Sequence, residues 1–318
     1  MKDDMNKLLD ELRVEPGRPV DLLRDYKPGY TGDFLKKEDT EESITKGIQM
    51  LAGHQDMLWA QNTYALLIIL QGMDAAGKDS TIKHVMSGVN PQGVEVTSFG
   101  EPSAEEHDHD YLWRIARVLP RRGNIGIFNR SYYEEVLIAR VHPELLDKEH
   151  IPPHLKDKNI WNRRYEEINC FENYLVNNGI IVLKFFLHIS RDVQKKRFLS
   201  RVDDPEKNWK FSATDIKERK YWDTYMAAYE DMLSKTSTPY APWYIIPADH
   251  KWFTHLAVTT AISDTLDRLR LTYPSVSSED MKALLAAKEE MEEEDGQSTG
   301  QKNRKRPKNG KRSPPGKN

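Results

Sequence analysis

YALLIILQGMDAAGKDST, residues 64–81, decides the fold. Its first half is an apolar run rich in β-formers, the pattern of a strand buried on both faces. Its second half is G-x-x-x-x-G-K, from Gly72 to Lys78, running into a polar stretch of helical character. Strand, glycine loop, lysine and helix in that order read as a phosphate-binding loop. The glycines let backbone N–H groups curl around phosphate oxygens, and the helix N-terminus adds positive potential. The candidate phosphate-binding positions are Gly72, Ala75, Ala76, Gly77, Lys78, Asp79 and Ser80, with Lys78 reaching the terminal phosphates. The regular motif has Ser or Thr directly after the lysine as a Mg²⁺ ligand. Here Asp79 holds that position and Ser80 follows, rotated by ~100° around the helix. Asp74 and Asp79, two acids beside a phosphate cradle, make chemical sense as ligands of Mg²⁺, a hard ion that takes oxygen donors.

Outward from this stretch, GVEVTSF (93–99), NIGIFNR (124–130), IIVLKFFLHIS (180–190) and WYIIPAD (243–249) read as further strands. Helical patterns fill 77–88, 103–118, 131–141, 159–178, 191–203, 213–236 and 251–270. The alternation predicts an α/β fold, a five-stranded parallel sheet flanked by helices. Residues 1–60 read as an N-terminal helical extension, Pro- and Gly-rich and then helical from near Lys37. The α/β domain spans 61–272, and 273–318 form a C-terminal helix and a basic tail, disordered from about Gly296. In a parallel sheet ligands bind at the carboxyl ends of the strands. Asn129, Arg130 and Ser131, which end the 124–130 strand, therefore share an edge with the glycine loop, where Arg130 can fork onto a phosphate. KKRFLSRVDDPEKNWK (195–210) supplies Arg197 and Arg201 on one helical face, then Lys207 and Lys210, a basic lid over about 195–212. Arg114, Arg117, Arg121 and Arg122 are candidates to extend that positive track. His107 and His109, two apart, read as part of a polar helix beginning, and Trp113, Trp161, Trp209, Trp222, Trp243 and Trp252 as core or cover residues.

Composition bounds the function classes. The chain has 318 residues, 38% hydrophobic and 31% charged, which excludes a fibrous or wholly disordered protein. No apolar run approaches the ~18 residues of a membrane helix, and the start MKDDMNKLLDELRVEP is too charged for a signal peptide. The single cysteine, Cys170, excludes a disulfide framework and a cysteine metal site, and reads as a small core residue. A cytoplasmic protein without a membrane partner is expected. The net charge of −3 conceals eight Lys/Arg and no acid in residues 301–318, which leaves 39 basic against 50 acidic residues, −11, in the rest. That acidity disfavours nucleic acid as a partner.

LQGMDAAGKDST (70–81), GVNPQGVEVTSF (88–99), DHDYLWR (108–114), GNIGIFNRSYYEEVL (123–137), RFLSRVDDPEKNWKFS (197–212) and APWYIIPADHKWF (241–253), in this order, resemble the polyphosphate kinase 2 family. The resemblance covers most of residues 30–270. It implies a P-loop kinase fold with a helical lid. The implied activity is reversible transfer of the terminal phosphate of inorganic polyphosphate to a nucleotide, with Mg²⁺, or Mn²⁺ in its place, as cofactor. It also implies a homo-oligomer, dimer or tetramer. Asp74, Lys78, Arg130, Arg197 and Arg201 match as catalytic positions, Lys207 and Lys210 as phosphate-binding lid positions. Many members read F-D-R-S-W-Y-N where this chain has Phe128-Asn129-Arg130-Ser131-Tyr132-Tyr133-Glu134. The form seen here resembles the subgroup that accepts both nucleoside mono- and diphosphates, AMP and ADP or their guanine counterparts. Asn129, Ser131 and Glu134 are then the candidate nucleotide contacts. Two rival readings remain at this stage: an ATP-dependent nucleoside monophosphate kinase, and a nucleic-acid-binding protein with a vestigial loop whose basic tail gives salt-sensitive binding.

Overall fold

The computed structural model describes residues 2–301 except 33, 35 and 211. Its five strands are β1 (Ala65–Gln71), β2 (Val94–Ser98), β3 (Ile125–Asn129), β4 (Ile180–His188) and β5 (Trp243–Pro247). They form one parallel sheet in the order β2-β3-β1-β4-β5. β1 is central, with Leu66 opposite Ile125 on one side and Ile181 on the other. Every residue of β1 and β5 is buried, so these strands read as unbroken apolar runs instead of alternating ones. From β1 the chain moves to the β2–β3 side and then crosses back to β4. The two crossovers part at the carboxyl end of β1 and leave a crevice there.

Helices flank the sheet as expected: α1 (Lys2–Leu12), α2 (Glu41–Gln61), α3 (Lys78–Val85), α4 (Ile160–Asn177), α5 (Arg191–Asp203), α6 (Ala213–Glu218), α7 (Trp222–Thr236) and α8 (Lys251–Arg268). α8 packs on α1, α2 and α3, while α4 packs on β4 and α7. Residues 1–60, set apart in sequence as an extension, belong to the same compact unit as the sheet, residues 1–273. Leu8, Leu9 and Leu12 of α1 are buried. The following segment lies along β5: the Val14 amide donates to the Trp243 carbonyl (2.9 Å), and the Asp249 amide donates to the Pro28 carbonyl (3.1 Å).

Three helical stretches are more broken than their patterns suggest. Residues 103–118 form two short helices, Ala104–His107 and Trp113–Ala116, because Asp110 Oδ1 accepts from the Leu112 amide (3.0 Å) and makes a turn between them. Residues 131–141 split into a 3₁₀ turn, Tyr132–Val136, and a single α turn, Ile138–Val141. Residues 213–236 are α6 and α7 joined by the 3₁₀ turn Arg219–Tyr221. Cys170 is not a core residue. α4 buries Arg164, Tyr165, Ile168, Glu172 and Leu175, and Cys170 falls on its exposed side with Glu166 and Glu167.

A second unit, residues 274–318, contains helix α9 (Ser278–Gln301). This helix continues past Gly296, where disorder was expected to begin, and residues 302–318 of the basic tail lie outside the described residues. Among the described residues no helix is long and apolar enough to cross a membrane.

Candidate active site

The loop from Gly72 to Gly77 joins β1 to α3. Gly72 (φ 151°) lies so close to β4 that a Cβ there would stand 2.8 Å from the Leu187 carbonyl oxygen. Gly77 (φ 112°) is the cap of α3. Two non-glycine residues at the site, Ala75 (φ 62°) and Arg130 (φ 64°), also hold left-handed backbone. Such strain costs about 1–3 kcal/mol each and persists only where the surroundings over-determine it. The buried Lys78 Nζ donates to the carbonyls of Gly72 (2.7 Å) and Met73 (3.3 Å). Burial lowers the pKa of Lys78, and the neighbouring Asp74 carboxylate opposes that shift.

A cleft of about 670 Å³ opens above the loop, lined by Asp74, Ala75, Gly77, Lys78, Asp79 and Ser80. Arg130, Arg197, Arg201, Lys207 and Lys210 line it too, so the structure brings these predicted positions together. The lid residues follow from α5, whose N-cap Ser190 accepts from the Val193 amide (3.3 Å). Asn208 turns back to cap its C-terminal carbonyls, Arg201 and Val202 (2.8 Å each). Arg201 faces Asp215 of α6 at 3.8 Å, and Lys210 Nζ lies 3.9 Å from Asp79 Oδ2. Burial, together with the Asp74 charge, raises the pKa of Asp215. Arg197 is placed differently from the other cations. Its Nη1 donates to the carbonyls of Ala75 (2.9 Å) and Ala76 (2.8 Å), and its Nη2 to those of Ala248 (2.6 Å) and Asp249 (3.2 Å).

The carboxylates sit within this cationic wall. Asp74 Oδ1 accepts from Arg130 Nη2 (2.7 Å). Asp79 Oδ1 accepts from Asn129 Nδ2 (2.8 Å), while the buried Asn129 Oδ1 has no partner among the described residues. Burial disfavours the Arg130 charge, but Glu134 and Asp74 outweigh it and hold its pKa up.

A second cleft, about 400 Å³, adjoins the first. Phe99, Gly100 and Arg130 line both. The second cleft adds Arg114, Glu134, Glu135, Ala139, His142 and Glu218. Desolvation of the half-buried Glu134 raises its pKa against the pull of Arg130 and Lys78. Gln71 settles its neighbours when its amide nitrogen donates to Glu134 Oε1 (2.9 Å) and its oxygen accepts from the Ser131 hydroxyl (3.0 Å) and amide (3.1 Å). Ser131 is only 1% exposed and lines neither cleft, in contrast to its expected place as a nucleotide contact. Its hydroxyl also accepts from the Tyr133 amide (3.2 Å), capping the turn that carries Glu134. Gly72 and Ala76 belong to the loop but likewise are not on the cleft lining.

The arginine track is not continuous. Arg114 lines the second cleft and lies over the Phe99 ring, and Arg117 lies over Trp113. Arg121 faces Glu95, and Arg122 donates to the Thr63 carbonyl (2.7 Å). Both precede β3 and so belong to the amino ends of the strands, away from the ligand edge. Trp209, expected in the core or covering it, is 78% exposed and lines the first cleft beside Lys210. It rides on the 3₁₀ turn Asn208–Lys210 beyond the end of α5, and all three residues of that turn are exposed. Among the described residues no group of three or more His, Cys, Asp and Glu is placed to hold a metal ion. Sequence reasoning missed Phe99 and Gln194; His250 and Lys251 follow the last strand and could be placed near the site, though no spacing assigns them to it. Lys251 starts α8 in the first cleft, where burial and then the charges of Arg197, Lys207, Arg201 and Lys210 lower its pKa. Gln194 carried a signal, because it lies one turn before Arg197 on the same face of α5.

The chain matches the family described as Polyphosphate kinase 2 (PPK2) over residues 34–272. It is 48% identical over 282 residues to the ADP-polyphosphate phosphotransferase of Rhodopseudomonas palustris, covering 88% of this chain and 97% of that protein. It is 42% identical over 267 residues to the AMP/ADP-polyphosphate phosphotransferase of Meiothermus ruber, covering 84% and 96%. The crystal structure of Polyphosphate Kinase 2 from Arthrobacter aurescens TC1 superposes with a TM-score of 0.78 at 40% identity, over 87% of this chain and 95% of that one. The parallel sheet, the loop after its central strand and these likenesses, each spanning nearly the whole of the relative, agree: the chain belongs to the polyphosphate kinase 2 family.

Proposed function

We propose that the chain transfers the terminal phosphate of inorganic polyphosphate to AMP and ADP, reversibly, with polyphosphate in the basic cleft and the nucleotide in its neighbour. The observation that carries this reading is the wall common to both clefts, Phe99, Gly100 and Arg130. A phosphoryl group leaving one cleft for the other passes Arg130. The first cleft sets seven cationic side chains against Asp74 and Asp79, which suits a long anion. An oxygen of the nucleotide's terminal phosphate attacks the terminal phosphorus of the chain. A new P–O bond forms, the P–O bond to the next phosphate breaks, and the shortened polyphosphate leaves with the electron pair. The attacking oxygen is ionised near neutral pH, so no strong general base is required. Catalysis is positioning plus neutralisation of charge on the transferring group by Lys78, Arg130, Arg201, Lys207 and Lys210.

The residues present fit a Mg²⁺ ion, or Mn²⁺ in its place. Asp74 and Asp79 offer carboxylates, and the unpartnered Asn129 Oδ1 offers a third oxygen. Mg²⁺ sites of this kind use one or two carboxylates and complete their shell with water and substrate phosphates. Bound there, the ion would supply positive charge to offset that of the phosphate oxygens. AMP and ADP as joint acceptors draw support from the name of the Meiothermus ruber relative and from Glu134 in the second cleft. Cytoplasmic placement and a homo-oligomeric assembly, dimer or tetramer, complete the reading, and light scattering on the purified chain measures the assembly.

The test is purified protein with long-chain polyphosphate, Mg²⁺ and AMP, with nucleotides separated over time. ADP followed by ATP, and neither without polyphosphate, is the expected result. Product from ATP plus AMP, with none from polyphosphate, overturns it. Glu134→Asn should shift the ratio of AMP to ADP turnover several-fold, and an unchanged ratio removes Glu134 from acceptor choice.

A further inference from the structure

The phosphate loop has five consecutive carbonyls, Gly72 to Ala76, and each accepts from a side chain. Lys78 takes those of Gly72 and Met73, and Arg197 those of Ala75 and Ala76. The middle one, of Asp74, accepts from Gln194 Nε2 (2.9 Å). A planar peptide that turns its carbonyl outward turns the following N–H the other way. The Asp74 carbonyl is turned to Gln194, which is not on the cleft lining, so the N–H of Ala75 faces the cleft that Ala75 lines. Gln194 is 1% exposed, and its other end is also occupied: its Oε1 accepts from Arg219 Nη1 (2.6 Å). The two partners fix the orientation of the amide, since only the nitrogen can donate and only the oxygen can accept.

Arg219 opens the turn that follows α6, the helix returning from the lid. Asp215 of the same helix faces the lid residue Arg201, and Glu218 lines the second cleft, where its carboxylate meets His142 Nε2 (2.8 Å) and the Tyr225 hydroxyl (2.9 Å). One buried amide thus joins the element that edges the second cleft to the backbone of the phosphate loop. We propose that Gln194 is a positioning residue that couples the docking of Arg219 to the orientation of the phosphate loop at Asp74. It touches no substrate. It acts by holding the Asp74 peptide, and with it the Asp74 side chain toward Arg130, only while the segment returning from the lid is in place. The inference rests on the loop being the cradle for the donor phosphates.

The experiment is a double-mutant cycle, Gln194→Leu, Arg219→Ala and both together. The readouts are turnover of polyphosphate and ADP, thermal midpoint, and amide hydrogen exchange over residues 73–80. Each single change should lower kcat by roughly 10-fold or more, as misplacement of a reacting group does. KM for ADP should stay within about 2-fold, and loop exchange should quicken. The double change should be no slower than the worse single one, because both cut the same connection. Gln194→Glu guards against simple misfolding. It keeps the acceptor for Arg219 but offers no N–H to the Asp74 carbonyl, and should reproduce the kcat loss at the wild-type midpoint. Single losses that multiply in the double variant overturn the coupling. So does wild-type kcat in Gln194→Leu when Lys78→Ala is inactive. If Lys78→Ala itself retains full turnover, the cradle reading falls and takes this inference with it.

Discussion

Burial, reinforced by the nearby Glu149 carboxylate, pushes the Glu135 carboxyl up to about 7. The shift has a definite consequence for stability. The folded protein binds this proton more tightly than the unfolded chain does. The resulting stabilisation is complete below the unfolded pKa of roughly 4.3 and is lost as pH rises through 7. Glu135→Gln removes the titration, while Arg164 keeps Glu149 as a partner at 2.5 Å. Urea unfolding at pH 5 and pH 8 should show the wild type losing up to about 3 kcal/mol more than the variant over that interval. Equal losses in the two proteins would contradict the assignment. At the same scale, the cations of the first cleft divide into two kinds. Arg197 spends both Nη atoms on backbone carbonyls, whereas Lys207 and Lys210 stand on the lid loop and line the cleft. Residue type and motif position do not separate these uses; only the partners do.

Among the elements, the turn that carries Glu134 depends on a buried ion pair. Lys184 of β4 donates to Glu172 of α4 (2.6 Å), to the Tyr133 hydroxyl (2.9 Å) and to the Thr236 carbonyl (2.7 Å). Tyr132 and Tyr133 donate to the other Glu172 oxygen (2.8 and 2.7 Å). Lys184→Met leaves Glu172 charged and unpaired and should cost about 3–5 kcal/mol, measured by urea unfolding. Lys184→Met with Glu172→Leu should recover most of that loss, since a well-packed apolar pair is often no less stable than the buried ions. A single variant as stable as the wild type would show that the pair does not hold the turn. How much of this was legible in sequence follows from physical causes. β1, β3, β4 and β5 were readable to within about three residues because strands buried on both faces are apolar throughout, and the largely exposed β2 was readable by its β-branched residues. α1 was not, because its buried face has only Leu8, Leu9 and Leu12 among charges. The glycine loop, Asp79, Arg130 and the lid cations were readable as local motifs. The hold of Gln194 on Asp74, across 120 residues, was invisible because it exists only once β1 and β4 pair. Trp209 was misread because an aromatic residue in sequence carries no sign of whether a second layer will cover it.

For the molecule as a whole, the two ends of the chain differ in what they contribute. Removing residues 1–12 uncovers a face of α8 and loses three buried leucines, each about 1.5–3 kcal/mol. That is comparable with the total stability of an ordinary domain. A chain ending at Tyr273 loses only the unit holding α9, whose Met281, Leu284, Leu285 and Met291 are exposed. Thermal melts should show the first truncation unfolded or strongly destabilised and the second close to the full chain. The reverse order would mean that the core is misassigned. The central claim concerns the loop at the middle of the sheet, where one buried lysine stands at the junction of carbonyls, carboxylates and the basic cleft. Its most direct test is the turnover of Lys78→Ala with long-chain polyphosphate and ADP, beside the wild type at matched folding by thermal melt. A loss of about 10²–10³ in kcat is expected, the scale of removing one preorganised charge-stabilising donor. Wild-type turnover in this variant would contradict the claim that the Gly72–Lys78 loop holds the phosphate being transferred.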